Sequence, residues 1–264
     1  MQKLFDGLSL AFRKNGGELN FNDFERVVRK NSPFIDDIDT IFLLLQASGY
    51  PIEERVWGYR LRTYFTPYQE ETFTVVDIET NGAKPKRSQI IEIGAVKIKN
   101  GKVIDTLESF VQCAYLPEHI IQLTGIHPVD LAKAPSRQEV LRKFREFLGD
   151  SVFVAHNASF DYNFLSASFE RFGLGSIGNM RLCTIDLAKK TIKAPKYGLA
   201  FLNEFLELEM SSHHRAYSDA LATSKILLKA FENLPKYIKT TDDLILFSEA
   251  STNSLKLKKS KKRA

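Results

Sequence analysis

Cysteine is scarce in this chain of 264 residues: Cys113 and Cys183 are the only two. Two thiols, each inside an apparent strand, suit reduced, buried side chains better than a disulfide framework. Long apolar runs are also missing. The longest, 41–45, is far short of the roughly 20 residues that cross a bilayer, and the N-terminus shows no signal-peptide core. The expectation is a cytoplasmic protein with no membrane contact. There is no internal repeat and no low-complexity stretch before the last residues. Those last residues, 251–264, lack acids altogether and carry six bases: Lys256, Lys258, Lys259, Lys261, Lys262 and Arg263. Without them the formal charge of +5 becomes −1, so the basic balance belongs to a tail and the body is near neutral. The tail is either solvated and disordered or a source of non-specific attraction to phosphate.

What is present is ordinary globular composition, 44% hydrophobic and 26% charged, with length for one large core or two smaller ones. Residues 1–66 read as a small helical unit closed by a hairpin. Leu4, Leu8, Ala11 and Phe12 fall at helical spacing before the Gly16-Gly17 stop, Asn22 is placed to cap a second helix, and a third is expected over 33–49. Two short strands should then surround a turn in 50–62. This order resembles a winged helix. Its third helix has no Lys or Arg but carries Asp36, Asp37 and Asp39, which DNA would repel. A protein-docking or packing module is therefore expected, with Arg55, Arg60 and Arg62 as its basic edge.

A linker is expected over 67–72, after which strands and helices alternate. Strands are predicted at 73–80, 89–99, 102–112, 151–156 and 180–185, and helices at 117–124, 136–148, 159–172, 198–208 and 219–233. One more helix is expected within 237–250. Short turns join the first three of these strands, as in an antiparallel meander; the later alternation implies parallel crossovers. The fold class is α/β, a mixed sheet covered by helices.

The chemistry gathers around Phe73-Thr74-Val75-Val76-Asp77-Ile78-Glu79-Thr80. In a strand side chains repeat every second residue, so Asp77 and Glu79 share a face. Two anions at the end of an apolar strand must bind a cation, share a proton or sit in water. Two further polar sites stand out. His156-Asn157-Ala158-Ser159-Phe160-Asp161 follows an apolar strand and puts Asp161 in a first helical turn at the sheet's C-terminal edge, where α/β sheets place their sites. His213-His214-Arg215-Ala216-Tyr217-Ser218-Asp219 ends a loop and opens a helix. Taken singly, Asp161 and Asp219 also fit acids that favour a helix N-terminus, His156 a structural strand-end residue, and Phe160 a core aromatic.

Together these residues resemble the DnaQ-like, DEDD-type 3′–5′ exonucleases of the histidine subclass: Asp77 and Glu79, Asp161 in an Asn-x-x-Phe-Asp setting, and His214 before Asp219. Ile90-Ile91-Glu92-Ile93-Gly94-Ala95-Val96 and Leu123-Thr124-Gly125-Ile126 support the likeness, which covers 73–234 and is nearest to the proofreading subunits of bacterial DNA polymerase III. The resemblance implies an RNase H-like domain over 73–236 and phosphodiester hydrolysis with two Mg²⁺, for which Mn²⁺ substitutes. It implies that Asp77, Glu79, Asp161 and Asp219 hold the metals and that His214 takes a proton from the attacking water. Thr80, Asn81, Gly82, Asn157 and Phe160 would touch the substrate, a single-stranded or frayed DNA 3′ end, and a replicative polymerase subunit would be the partner. RNA as substrate, or a non-catalytic winged-helix scaffold, are the alternatives.

Overall fold

The computed structural model describes residues 1–32, 37–208 and 215–250. The first part of the chain runs α1 (Gln2–Lys14), β1 (Glu18–Asn20), α2 (Phe21–Asn31), α3 (Ile38–Ala47), β2 (Ile52–Arg55) and β3 (Gly58–Leu61). The three strands form an antiparallel sheet in the order β1-β3-β2. The cap of α2 is Asn20, whose side chain accepts from the Asp23 amide at 2.8 Å; Asn22 lies inside the helix. Sequence spacing favoured Asn22, but β1, which had no sequence signal of its own, moves the boundary back. The third helix starts at Ile38 after Asp37, and residues 33–36 of its expected start lie outside the described residues.

The expected basic edge is not a free one. Arg55 and Arg60 both donate to Glu53 at 2.6 Å, while Arg62 turns toward the rest of the molecule. It pairs with the buried Glu71 at 2.6 Å and with Asp150. Residues 67–72 follow a short α4 (Arg62–Phe65) and are held down, since Glu71 is engaged and Pro67 bridges to Thr240.

The second part contains β4 (Thr72–Thr80), β5 (Ile90–Lys99), β6 (Lys102–Phe110), α5 (Glu118–Thr124), α6 (Pro128–Ala132), α7 (Arg137–Leu148), β7 (Val152–Ala155), α8 (Ala158–Arg171) and β8 (Arg181–Cys183). It continues with α9 (Thr184–Thr191), α10 (Leu199–Phe205), α11 (Ala216–Glu232) and α12 (Thr241–Glu249). The sheet order is β6-β5-β4-β7-β8, antiparallel across β4, β5 and β6 and parallel across β4, β7 and β8. The expected meander and crossovers are both present. Cys113 falls in the loop after β6, outside any strand, and Cys183 at the end of β8 is half-buried; both are free thiols. α9 occupies a stretch for which no helix was expected. No described helix is long and apolar enough to cross a membrane.

Each face of the central sheet carries its own core. Val76, Ile78, Ile93 and Phe153 pack with α7 and α8 through Phe144, Phe164 and Leu165. Phe73, Val75, Val96 and Val154 pack against α11 through Ile226 and Leu227, and this cluster runs on without a break into Leu8, Phe12, Phe24 and Leu45 of the first part. The two parts thus share one apolar core. A bidentate pair from Arg13 to the buried Asp242 of α12, with contacts of 2.8 to 3.1 Å, fastens its far side.

Candidate active site

β7 pairs only with Phe73, Thr74 and Val75 of β4, so the second half of β4 has no strand on that side. α8 fills the gap. The chain turns sharply from strand to helix at Asn157, whose backbone is left-handed at φ 75 and ψ 54, a conformation asparagine tolerates better than most residues. One turn on, the buried carboxylate of Asp161 accepts from the Ile78 amide and so satisfies a ladder position that β7 leaves open.

On the other side of β4, Gly94 of β5 stands opposite Asp77 and Glu92 opposite Glu79. A Cβ on Gly94 would lie 2.1 Å from the carbonyl carbon of Ala216 and from the amide nitrogen of Tyr217. The bare glycine lets the first turn of α11 rest on the sheet, which carries Asp219 to the acids of β4. Glu92, fully buried, fixes that turn. It accepts from the Ala216 amide at 3.1 Å and from Arg215 at 2.9 and 3.1 Å. Arg215 also reaches Glu108 and lies over the ring of Phe110.

Carboxylate oxygens of Asp77, Glu79 and Asp219 come within 4.8 Å of one another. Together with Asp161 they line a cleft of about 260 Å³ closed by Ile78, His156, Asn157, Phe160, Leu199 and Ala200. Burial first, and then the neighbouring charges of Asp161, Asp219, Glu79 and Glu92, push the carboxyl of Asp77 well above the usual range. Glu79 is raised to about 7 by burial and by Asp219 and Glu92, against a smaller opposing effect of Arg215. Burial likewise raises Asp161. The charges that bear most on Asp77 are all acids. Such a group of hard oxygens, crowded and with no neutralising base lining the cleft among the described residues, fits a divalent cation.

His156 is held neutral by burial. Its Nε2 donates to the carbonyl of Tyr197 and its Nδ1 accepts from the Thr184 hydroxyl, both at 2.9 Å, which ties the segment leading into α10 to the end of β7. This is the structural role weighed for it in the sequence. Phe160 is tilted against Phe164 and keeps 36% of its surface exposed in the cleft. The structure does not bring Thr80, Asn81 and Gly82 into the cleft lining. The buried Thr80 hydroxyl donates to the Gly82 carbonyl, and the Asn81 amide group donates to Tyr115 and accepts from Gln89. His213 and His214 lie outside the described residues. Glu92 and Gly94, quoted only as a supporting stretch, and Arg215 prove to be what positions Asp219. A charged residue inside an otherwise apolar strand was the available signal for Glu92.

The raised carboxyls make a stability prediction. The folded protein binds these protons more tightly than the unfolded chain, whose carboxyls titrate near 4. The stabilisation is therefore full below pH 4 and is lost as pH rises toward 7 and beyond. In chelator, the thermal midpoint should fall between pH 5 and pH 8, and Mg²⁺ or Mn²⁺ should raise it chiefly at pH 8. A midpoint indifferent to metal at both pH values would mean that the acids do not form a cation site.

The model of the exonuclease family RNase_T matches residues 74–227. Among curated relatives, the PolC-type DNA polymerase III of Staphylococcus haemolyticus (strain JCSC1435) is 41% identical over 169 residues, which is 63% of this chain and 12% of that protein. That of Caldanaerobacter subterraneus subsp. tengcongensis is 42% identical over 178 residues, 66% of this chain and 13% of that one. The chain thus spans about one-eighth of the length of these relatives. Among solved structures, the zinc-bound E. coli exonuclease I complex with single-stranded DNA aligns with a TM-score of 0.57 at 21% identity, covering 63% of this chain and 42% of that one. Exonuclease X in complex with 5′-overhanging duplex DNA aligns at 0.53 and 23%, covering 67% and 99%. At these identities the structures show a shared fold.

Proposed function

The chain belongs to the RNase_T exonuclease family, and from that premise we propose that it is a 3′–5′ exonuclease that removes nucleotides from single-stranded or frayed DNA 3′ ends. The observation that carries this is the convergence of Asp77, Glu79, Asp161 and Asp219 from one strand and two helices on a single cleft. Asp77, Glu79 and Asp219 would hold the divalent ions, with Asp161 supporting the second position. Two Mg²⁺, with Mn²⁺ as substitute, would supply charge stabilisation to the attacking and leaving oxygens.

The remaining work falls to the chain itself. Asn157 and Phe160 border the cleft, and Phe160 offers the terminal base an aromatic ring on which any base can stack. Thr80, Asn81 and Gly82 shape the loop beside it. His214 takes the proton of the attacking water; it immediately precedes Arg215, the residue that Glu92 anchors.

Proofreading in replication is the biological setting we propose, supported by the likeness of the nuclease portion to PolC-type polymerases. Residues 1–66 would be a winged-helix-like docking module for a replicative polymerase subunit, 73–236 the nuclease and 251–264 a basic tail. The helix-strand-helix-helix-strand-strand order of the first part supports the winged-helix assignment, and the engagement of both Arg55 and Arg60 by Glu53, which halves their combined charge, favours a protein over DNA as its partner.

The test is digestion of labelled single-stranded DNA and matched RNA with Mg²⁺. Stepwise loss from the DNA 3′ end is expected, with kcat lowered about 10²-fold or more in His214→Ala. Consumption of RNA alone would keep the hydrolytic chemistry and move the enzyme to RNA turnover. Activity on neither would leave the scaffold alternative.

A further inference from the structure

Residues 81–89 connect β4 to β5 and contain Lys84, Lys86 and Arg87 but no acid. The three bases are exposed. The loop is nonetheless built rather than slack. At its base the Asn81 amide donates to the Gln89 carbonyl at 3.0 Å, and the Gln89 amide donates to the Asn81 side chain at 2.8 Å. Near its tip the Lys84 carbonyl accepts from the Arg87 and Ser88 amides at 2.9 and 2.8 Å, closing a tight turn. Arg171, at the end of α8, donates to the Lys86 carbonyl at 3.0 Å and contacts that of Pro85 at 3.5 Å.

This arrangement fixes both a direction and a distance. The base of the loop adjoins the site end of β4, whereas its tip is pinned to the far end of the helix that begins at the cleft. Arg171 is ten residues beyond Asp161, so at 1.5 Å per residue its backbone lies about 15 Å along α8 from the acids, and its side chain holds the tip at that end. A stacked strand advances about 3.4 Å per nucleotide, so this is a reach of about four nucleotides. In a body with almost no net charge, three bases and the guanidinium that holds them make a local field that attracts phosphate.

We propose that Lys84, Lys86 and Arg87, presented by Arg171, form a phosphate-binding strip. The strip grips the single strand about four nucleotides upstream of the terminal one. It rests on the nuclease assignment for its purpose, and on the loop geometry for its existence. The strip adds affinity for substrates long enough to reach it and leaves the chemistry at the cleft unchanged. Arg171 is a positioning residue, since its hydrogen bonds go to loop carbonyls.

The experiment measures binding of fluorescent dT12 in chelator, where hydrolysis is not needed, from 50 to 200 mM salt, and turnover of dT3 and dT12 with Mg²⁺. In the Lys84→Ala/Lys86→Ala/Arg87→Ala variant the slope of log affinity against log salt should fall by about 2, from about 0.7 per phosphate contact. Wild type should therefore lose about fifteen-fold more affinity than the variant over that salt range. KM for dT12 should rise while kcat/KM for dT3 stays at the wild-type value, and Arg171→Ala should reproduce part of the KM effect. An unchanged salt slope overturns the strip, as does an equal loss on dT3 and dT12, which would place the damage at the cleft. A wild type that binds dT12 with the steeper slope but hydrolyses neither oligonucleotide would overturn the nuclease assignment and leave the strip standing.

Discussion

Asp77→Asn is expected to lower kcat by about 10³-fold and, at the same time, to raise the thermal midpoint of the metal-free protein at pH 8. The loss follows from position. Asp77 is the acid on which Asp161, Asp219 and Glu79 all bear, so it is the group closest to the centre of the charge cluster. Metal-assisted stabilisation of a phosphoryl transition state is worth several kcal/mol, and about 4 kcal/mol corresponds to about a thousandfold in rate. The gain in stability follows from the same charges. An amide fills the carboxyl's space without ionising, which removes the repulsion that builds up as the wild type loses its protons above pH 7. At pH 5, where the raised carboxyl already holds its proton, the substitution should be nearly neutral. Thermal unfolding in chelator at both pH values, beside steady-state turnover on a short DNA strand, checks the pair of effects. A variant that loses activity and is also destabilised at pH 8 would show that Asp77 is a structural acid rather than a metal-holding one.

The second large effect is expected at a residue with no side chain. Gly94→Ala would set a methyl 2.1 Å from two backbone atoms of α11's first turn, and backbone cannot swing aside as a side-chain end can. Either the helix lifts or the strand sinks, by more than 1 Å. Overpacking of this kind costs about 1–3 kcal/mol, and a 1 Å misplacement of a catalytic group costs about 10²-fold in rate. The same shift would part the Ala216 amide from Glu92, a 3.1 Å bond to a fully buried carboxylate. The expected result is a folded but less stable protein with kcat about 10²-fold lower and weaker stabilisation by Mn²⁺. Native kcat in this variant would mean that Asp219 does not depend on the close seat of α11.

Much of this molecule could be read from neighbouring residues. The strand Thr72–Thr80 was visible as an apolar, β-branched run ending at Asn81-Gly82, and its period of two placed Asp77 and Glu79 on one face without reference to anything else. The helix Thr241–Glu249, with its Thr240 and Asp243 capping box, was legible for the same reason, as were the antiparallel turn at Asn100-Gly101 and the helix that carries Asp161 in its first turn. Strand pleat, helix caps and turn chemistry act over two to five residues, so they are written where they act.

What the chain could not announce locally lies in its long-range contacts. Glu92 and Arg215 are 123 residues apart in sequence, and neither alone predicts that a buried acid on β5 would hold the start of α11. Gly94 looks like any glycine in a strand until the helix above it is in place. Arg62 passed for part of a basic edge because its partners, Glu71 and Asp150, are defined only once the first part has packed on the second. The sequence alone therefore determined most of the elements, their alternation and the acids that meet in the cleft, while β1 and α9 stayed hidden. The tertiary structure alone decided that β7 is too short to cover β4, that Asp161 enters the opening it leaves, and that a bare glycine brings Asp219 down to meet it. The physical reason is range: local backbone preferences specify each element, whereas the convergence of residues 77, 161 and 219 depends on sheet order and on packing distances set by atoms far away along the chain.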